Sequence, residues 1–204
     1  MPDWLSGRRV TFVKDFDKFV PNGGVHQGIA MEVEDVCCSD ITMLADAPVN
    51  CMVSILDGVT DPHNMGAVIR SAACFGVLAI IISERASCKI NETVAKVASG
   101  GLEHLSIIAV KNLSQAIRTL KNYGFWIVSF SERGDKYLDE VDLKGKTCLI
   151  FGAEGTGVRR LQMEESDFIV KLPTCPEFPT LNVSASASVA FYETAKQNGS
   201  LNFV

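Results

Sequence analysis

The chain has 204 residues, 47% hydrophobic and 21% charged, which excludes a disordered or fibrous protein and allows one domain with a substantial core. Its longest strongly apolar stretch, residues 77–82, is too short to cross a bilayer, and no signal segment opens the sequence, so a cytoplasmic protein without membrane contact is expected. The net charge of −5 excludes a uniformly basic nucleic-acid surface and leaves local patches as candidates, namely Arg8-Arg9, Lys14, Lys18 and Arg159-Arg160.

In chain order, residues 9–13 and 29–33 read as strands flanking a Pro-Asn-Gly-Gly turn at 21–24, and residues 35–48 as a connector. This piece is too short to bury a core of its own. It either packs on the main domain or is the end of a larger one. From residue 52 onward, short apolar runs alternate with helix-period segments. Strands are expected at 52–56, 78–82, 106–110, 125–130, 147–151 and 168–172. Helices are expected at 64–75, 91–98, 113–123 and 184–197, with a short one after the glycine-rich stretch that follows residue 151. The alternation predicts an α/β domain with a mostly parallel sheet and helices on both faces.

The seven cysteines, at 37, 38, 51, 74, 88, 148 and 175, form no C-x-x-C pair, and the three histidines are dispersed. The spacing fits reduced thiols and no metal site.

Chemistry concentrates in three stretches. The first, LDGVTDPHNMGAVIRSAACFG at 56–76, joins a strand end to a helix, where α/β proteins usually bind ligands. Asn64 reads either as the helix N-cap or as a polar group offered to a ligand. Arg70 stands among Val68, Ile69, Ser71, Ala72 and Ala73, and a guanidinium fork in such company suggests a phosphate or carboxylate partner, against an exposed face or a structural salt bridge. The second, LIFGAEGTGVRRL at 149–161, places glycines 152, 155 and 157 after a strand, so the backbone can approach a ligand closely. It is neither a Walker A loop nor G-x-G-x-x-G, and its Glu154 could simply begin the next helix. The third, LPTCPEFPTLNVSASASVA at 172–190, holds an extended proline-rich loop ahead of a Ser/Ala-rich helix, with Thr180 and Asn182 at its start.

Together and in this order, the three stretches resemble the signature motifs of the SpoU (TrmH-type) RNA ribose 2′-O-methyltransferases of the SPOUT superfamily, over about residues 50–198. The segment Val25-His26-Gln27-Gly28-Ile29 also resembles the end of the L30e-like RNA-binding domain that precedes the catalytic domain in many members, including the bacterial 23S rRNA guanosine-2′-O-methyltransferases. The resemblance divides the chain into residues 1–48, a remnant of that domain plus a linker, and residues 49–204, the methyltransferase domain.

The resemblance implies S-adenosylmethionine as methyl donor and RNA as substrate, with 23S rRNA guanosine first and tRNA the nearest rival. It also implies a C-terminal trefoil knot and a homodimer that shares its sites. Asn64, Arg70, Glu154, Thr180 and Asn182 then belong to the catalytic site, with Thr180 where the usual motif has serine. Gly152, Leu172, Leu181, Ser129 and Phe130 surround the cofactor. Removing a proton from an ordinary guanidinium near neutral pH costs on the order of 7 kcal/mol. A cationic Arg70 that clamps phosphate and developing oxyanion charge is therefore favoured over Arg70 as base. The competing classes are a nucleotide-binding oxidoreductase, for which residues 57–66 lack the glycine fingerprint, and a non-catalytic RNA-binding relative, which would not need all four of Asn64, Arg70, Glu154 and Asn182.

Overall fold

The central strands are apolar along nearly their whole length because both of their faces are covered. The computed structural model describes residues 36–178 and 180–200, together with Thr11. The strands expected at 9–13 and 29–33, the turn at 21–24, the 25–29 segment, Arg8, Arg9, Lys14, Lys18 and Pro179 lie outside the described residues. Among the described residues, β1 (Cys51–Asp57), β2 (Val77–Ser83), β3 (Ser106–Val110), β4 (Trp126–Phe130), β5 (Lys136–Tyr137), β6 (Lys146–Gly152) and β7 (Phe168–Lys171) form one sheet in the order β3-β2-β1-β6-β4-β7-β5. Every pairing between neighbours is parallel.

Among the described residues, five α-helices cover this sheet. On one face, α1 (Pro62–Cys74), α2 (Glu92–Ala98) and α5 (Val183–Gln197) enclose Leu56, Ile80, Leu149 and Phe151. On the other, α3 (Leu113–Asn122) and α4 (Arg160–Glu164) enclose Ile55, Ile81, Cys148 and Ile150. Alternate residues of the central strands thus feed two separate cores. Burial pushes the Cys148 thiol far above the usual cysteine range, so this thiol packs as a small apolar group.

Local chemistry sets the helix starts. Asp61 caps α1 by accepting from the backbone N–H groups of His63 (3.1 Å) and Asn64 (3.3 Å), and Pro62 occupies the first turn. The helix therefore begins two residues before the expected position, and Asn64 is not its cap. Asn91, Asn112 and Asn182 cap α2, α3 and α5 through their side-chain oxygens.

Several short features lay outside the sequence reading. β5 is only two residues long, too short for a period to show. The stretch read as a connector holds a 3-10 turn, Ile41–Leu44, whose Leu44 is fully buried, and Ser39 bridges to Ile108 of β3. At the other end, Asn198 accepts from Gly145 N–H (3.0 Å) and donates to the Leu143 carbonyl (3.0 Å), fastening the end of α5 beside the entry to β6.

At Gly66, α1 and α2 approach closely. A Cβ built there meets Val97 Cβ at 2.6 Å and the Val94 carbonyl oxygen at 2.9 Å. Gly66→Ala is expected to lower stability by about 1–3 kcal/mol through overpacking, read as a reduced urea midpoint with an unchanged slope, although alanine is the better helix former.

Candidate active site

The sheet reverses its direction of winding between β1 and β6, which pair in register from Cys51↔Lys146 to Asp57↔Gly152. The crevice beyond the carboxyl ends of such strands is where open α/β sheets hold ligands. Two loops leave from there, and a third arrives from β7.

The loop after β6 folds back on itself. Ala153 bridges to Gly157, whose N–H donates to the Ala153 carbonyl (2.9 Å). Gly152 must lack a side chain, because a Cβ would fall on the backbone of Gly157 and Val158. Glu154 stands in the turn so formed and is exposed. It does not begin a helix, since α4 starts only at Arg160. From the first loop, Asn64 presents a buried side chain that capping leaves unused, because Asp61 performs that role.

Asn182 joins the loops. Its Oδ1 accepts from the backbone N–H (2.8 Å) and hydroxyl (2.6 Å) of Ser184, which fixes the orientation of the amide. Its Nδ2 then donates to Asn64 Oδ1 (2.9 Å) and Glu154 Oε1 (2.7 Å). A longer contact, 3.5 Å, runs from Asn64 Nδ2 to Glu154 Oε2. Three side chains distant in sequence thus form a closed triangle of two amides and one carboxylate.

The other expected site residues take different places. Thr180 and Leu181 are exposed immediately before Asn182, and Leu172 is half-buried against the core. Phe130 stacks on Phe151 at 4.5 Å, and Phe151 meets Phe191 edge-on at 5.7 Å. Ser129 is buried, and its hydroxyl is held 2.6 Å from Ser166 Oγ, which itself donates to the Gln162 carbonyl. Its side chain belongs to the packing of β4.

Arg70 is exposed and, among the described residues, makes no hydrogen bond or ion pair. Six residues after Asn64, it lies about 9 Å farther along the helix axis. A single chain therefore does not bring Arg70 into the triangle.

Arg159 and Arg160 are not a free basic patch. Arg159 is tied to the fully buried Asp57 carboxylate (Nε–Oδ1 2.7 Å), and Arg160 pairs with Glu164 at 3.0 Å. Asp57 was the signal overlooked in the sequence, a carboxylate ending an apolar strand that demands a buried partner.

The sequence profile of the SpoU rRNA Methylase family matches residues 52–192. This chain belongs to the SpoU family. It is 40% identical over 178 residues to the 23S rRNA (guanosine-2'-O-)-methyltransferase RlmB of Pseudomonas aeruginosa, covering 85% of this chain and 72% of the relative. The RlmB of Xylella fastidiosa is 41% identical over 180 residues, with 86% and 72% covered. Among solved structures, the A. aeolicus TrmH/SpoU tRNA modifying enzyme is 27% identical with a TM-score of 0.66, covering 77% of this chain and 81% of that one. AviRb of Streptomyces viridochromogenes, a SpoU methyltransferase in complex with the cofactor AdoMet, matches in fold with a TM-score of 0.74 at 22% identity, over 81% and 67% of the two chains.

In this SpoU chain the triangle rests on the donor half of Asn182. Asn182→Asp keeps the oxygen that caps α5, loses both donated hydrogen bonds and sets two carboxylates against each other. We expect a loss of about 1 kcal/mol near pH 7. The repulsion raises the carboxyl pKa in the folded state, so the deficit is present at neutral pH and shrinks as pH falls through the carboxylate range. Urea melts at pH 7.5 and 4.5 check this, and an equal deficit at both would show that the carboxylates do not meet.

Proposed function

We propose that the protein transfers a methyl group from S-adenosylmethionine to a ribose 2′-hydroxyl of RNA, on a guanosine of 23S rRNA in the cytoplasm. The Asn64–Glu154–Asn182 triangle carries this reading. It gathers all three motif loops at the topological switch point, and RlmB relatives at 40% and 41% identity supply the reaction class.

The residues suit the methyl donor. When bound, S-adenosylmethionine supplies an electrophilic methyl on a cationic sulfur, and the only charged member of the triangle is the Glu154 carboxylate, of opposite sign. Leu172 and Leu181 offer apolar surface beside polar backbone, the usual mix for a small-molecule site. We assign the roles as follows. Asn64 and Asn182 hold the Glu154 carboxylate in one orientation. Thr180 and Leu181 border the pocket with Gly152, Leu172 and the ends of β4 at Ser129 and Phe130.

Arg70 enters from a second copy. Cys74 is exposed one turn beyond Arg70 on α1, and Ala185, Val189 and Tyr192 are exposed on α5, which packs beside α1 through the Ser71–Ser188 hydroxyl contact. Small and apolar side chains there suit close helix packing between protomers, and a dimer across this face places Arg70 at the partner's triangle. In that position the guanidinium grips an RNA phosphate and stabilises charge developing on the 2′-oxygen. The same reading makes residues 1–48 the end of an L30e-like domain with its linker. It also assigns the α5 end of the chain to a trefoil knot, a reading supported by β7 lying between β4 and β5 in the sheet.

Calorimetry should detect S-adenosylmethionine binding, and nucleoside mass spectrometry should show 2′-O-methylguanosine lost from 23S rRNA when the gene is removed. Loss from tRNA instead would select the rival substrate, and absence of donor binding would overturn the enzymatic reading.

Arg70→Ala is expected to cut methylation at least about 100-fold while donor affinity stays within about twofold. Full activity with a flat rate between about pH 6 and 9 would remove both the clamp and the base role. For the shared site, Val189→Glu is expected to yield monomers in sedimentation and to lose methylation, whereas an active monomer would refute the need for a partner.

A further inference from the structure

The turn carrying Glu154 is held at its base and at its exit by different means. The Ala153–Gly157 bridge closes the base. The exit, at Arg159, is held by a carboxylate 102 residues earlier. Asp57 Oδ2 accepts the Arg159 backbone N–H at 3.0 Å, while Asp57 Oδ1 takes Nε at 2.7 Å and lies 2.5 Å from Nη2. The carboxylate is fully buried, and the guanidinium remains about half exposed at 52%. An exposed arginine on a surface turn has no structural need for a buried carboxylate, and a carboxylate sheltered from water must have such a partner. Gly58 follows Asp57 in the left-handed region, φ +77°, and a Cβ there would come within 3.7 Å of Ala153 Cβ. The loop after β1 and the turn after β6 are therefore laced together immediately below Glu154.

We propose that Asp57 and Arg159 are positioning residues of the methyl-transfer site. Their fork fixes the exit of the 153–157 turn, so that the Glu154 carboxylate arrives at Asn182 and Asn64. The inference rests on the proposed function and adds a specific division of labour. Arg159 serves the pocket from behind and contributes nothing to gripping RNA.

The test uses the full chain and compares Arg159→Gln, Arg159→Lys, the double variant Asp57→Asn/Arg159→Gln, and Arg160→Gln as a control on the neighbouring arginine. Donor affinity, kcat, KM for RNA, the salt dependence of RNA binding and the thermal midpoint are read for each. Arg159→Gln is expected to lose at least about tenfold in donor affinity and in kcat, with KM for RNA within about twofold. Arg159→Lys, which keeps the charge without the fork, should recover part of that loss. The double variant no longer strands a buried charge, so its thermal midpoint should return toward wild type while kcat stays low. Arg160→Gln should behave as wild type in donor affinity and kcat.

A double variant with restored stability, donor affinity and kcat would overturn the proposal and leave the pair purely structural. A raised KM for RNA with a shallower salt slope in Arg159→Gln would overturn it in favour of a phosphate contact. If the wild-type protein itself neither bound the donor nor methylated RNA, the enzymatic reading would fail, and the positioning role with it.

Discussion

The side-chain amide of Asn182 is the constraint on which the arrangement turns. One end completes a helix terminus and the other joins Asn64 to Glu154, and the planar amide offers no way to satisfy one requirement without fixing the other. The start of α5 is thereby coupled to the conformation of two loops that belong to β1 and β6. Because α5 also carries Phe191 into the core beneath Phe151, the orientation of the triangle is inherited from packing well below the surface.

The sheet supplies what that amide cannot. A parallel sheet with both faces covered keeps its strands in register, and the β1/β6 register sets Asp57 beside Gly152 at the mouth of the crevice. Glycine at 152 lets the turn fold back across its own strand end, where any side chain would strike backbone. Asp57 anchors the far side of the turn through Arg159. Strand ends thus hold the loop side chains, a division in which loops carry function and the scaffold carries precision.

Much of this was legible in the sequence because periodicity and motif order are local signals. The expected strand at residues 106–110 has the observed bounds, and most other elements differ by one or two residues, as helix and strand ends commonly do. The three motif loops could be recognised, and Asn64, Glu154 and Asn182 do meet. What could not be read was pairing at long range. Nothing local distinguishes an Arg159 committed to a buried Asp57 from an arginine offered to RNA. For Arg70 the sequence left a ligand, an exposed face and a salt bridge open, and the structure shows it exposed, off the buried stripe of Met65, Val68, Ile69 and Ala72. β5 escaped notice because two residues display no alternation.

The two margins of the sheet decide whether another chain could extend it. An unpaired strand invites another chain to extend the ladder. Here one margin is β5, which offers only two residues, one of them a lysine. At the opposite margin, Ser39 already occupies the free side of β3 at Ile108. With both flanks blunted among the described residues, growth of the sheet from molecule to molecule is disfavoured.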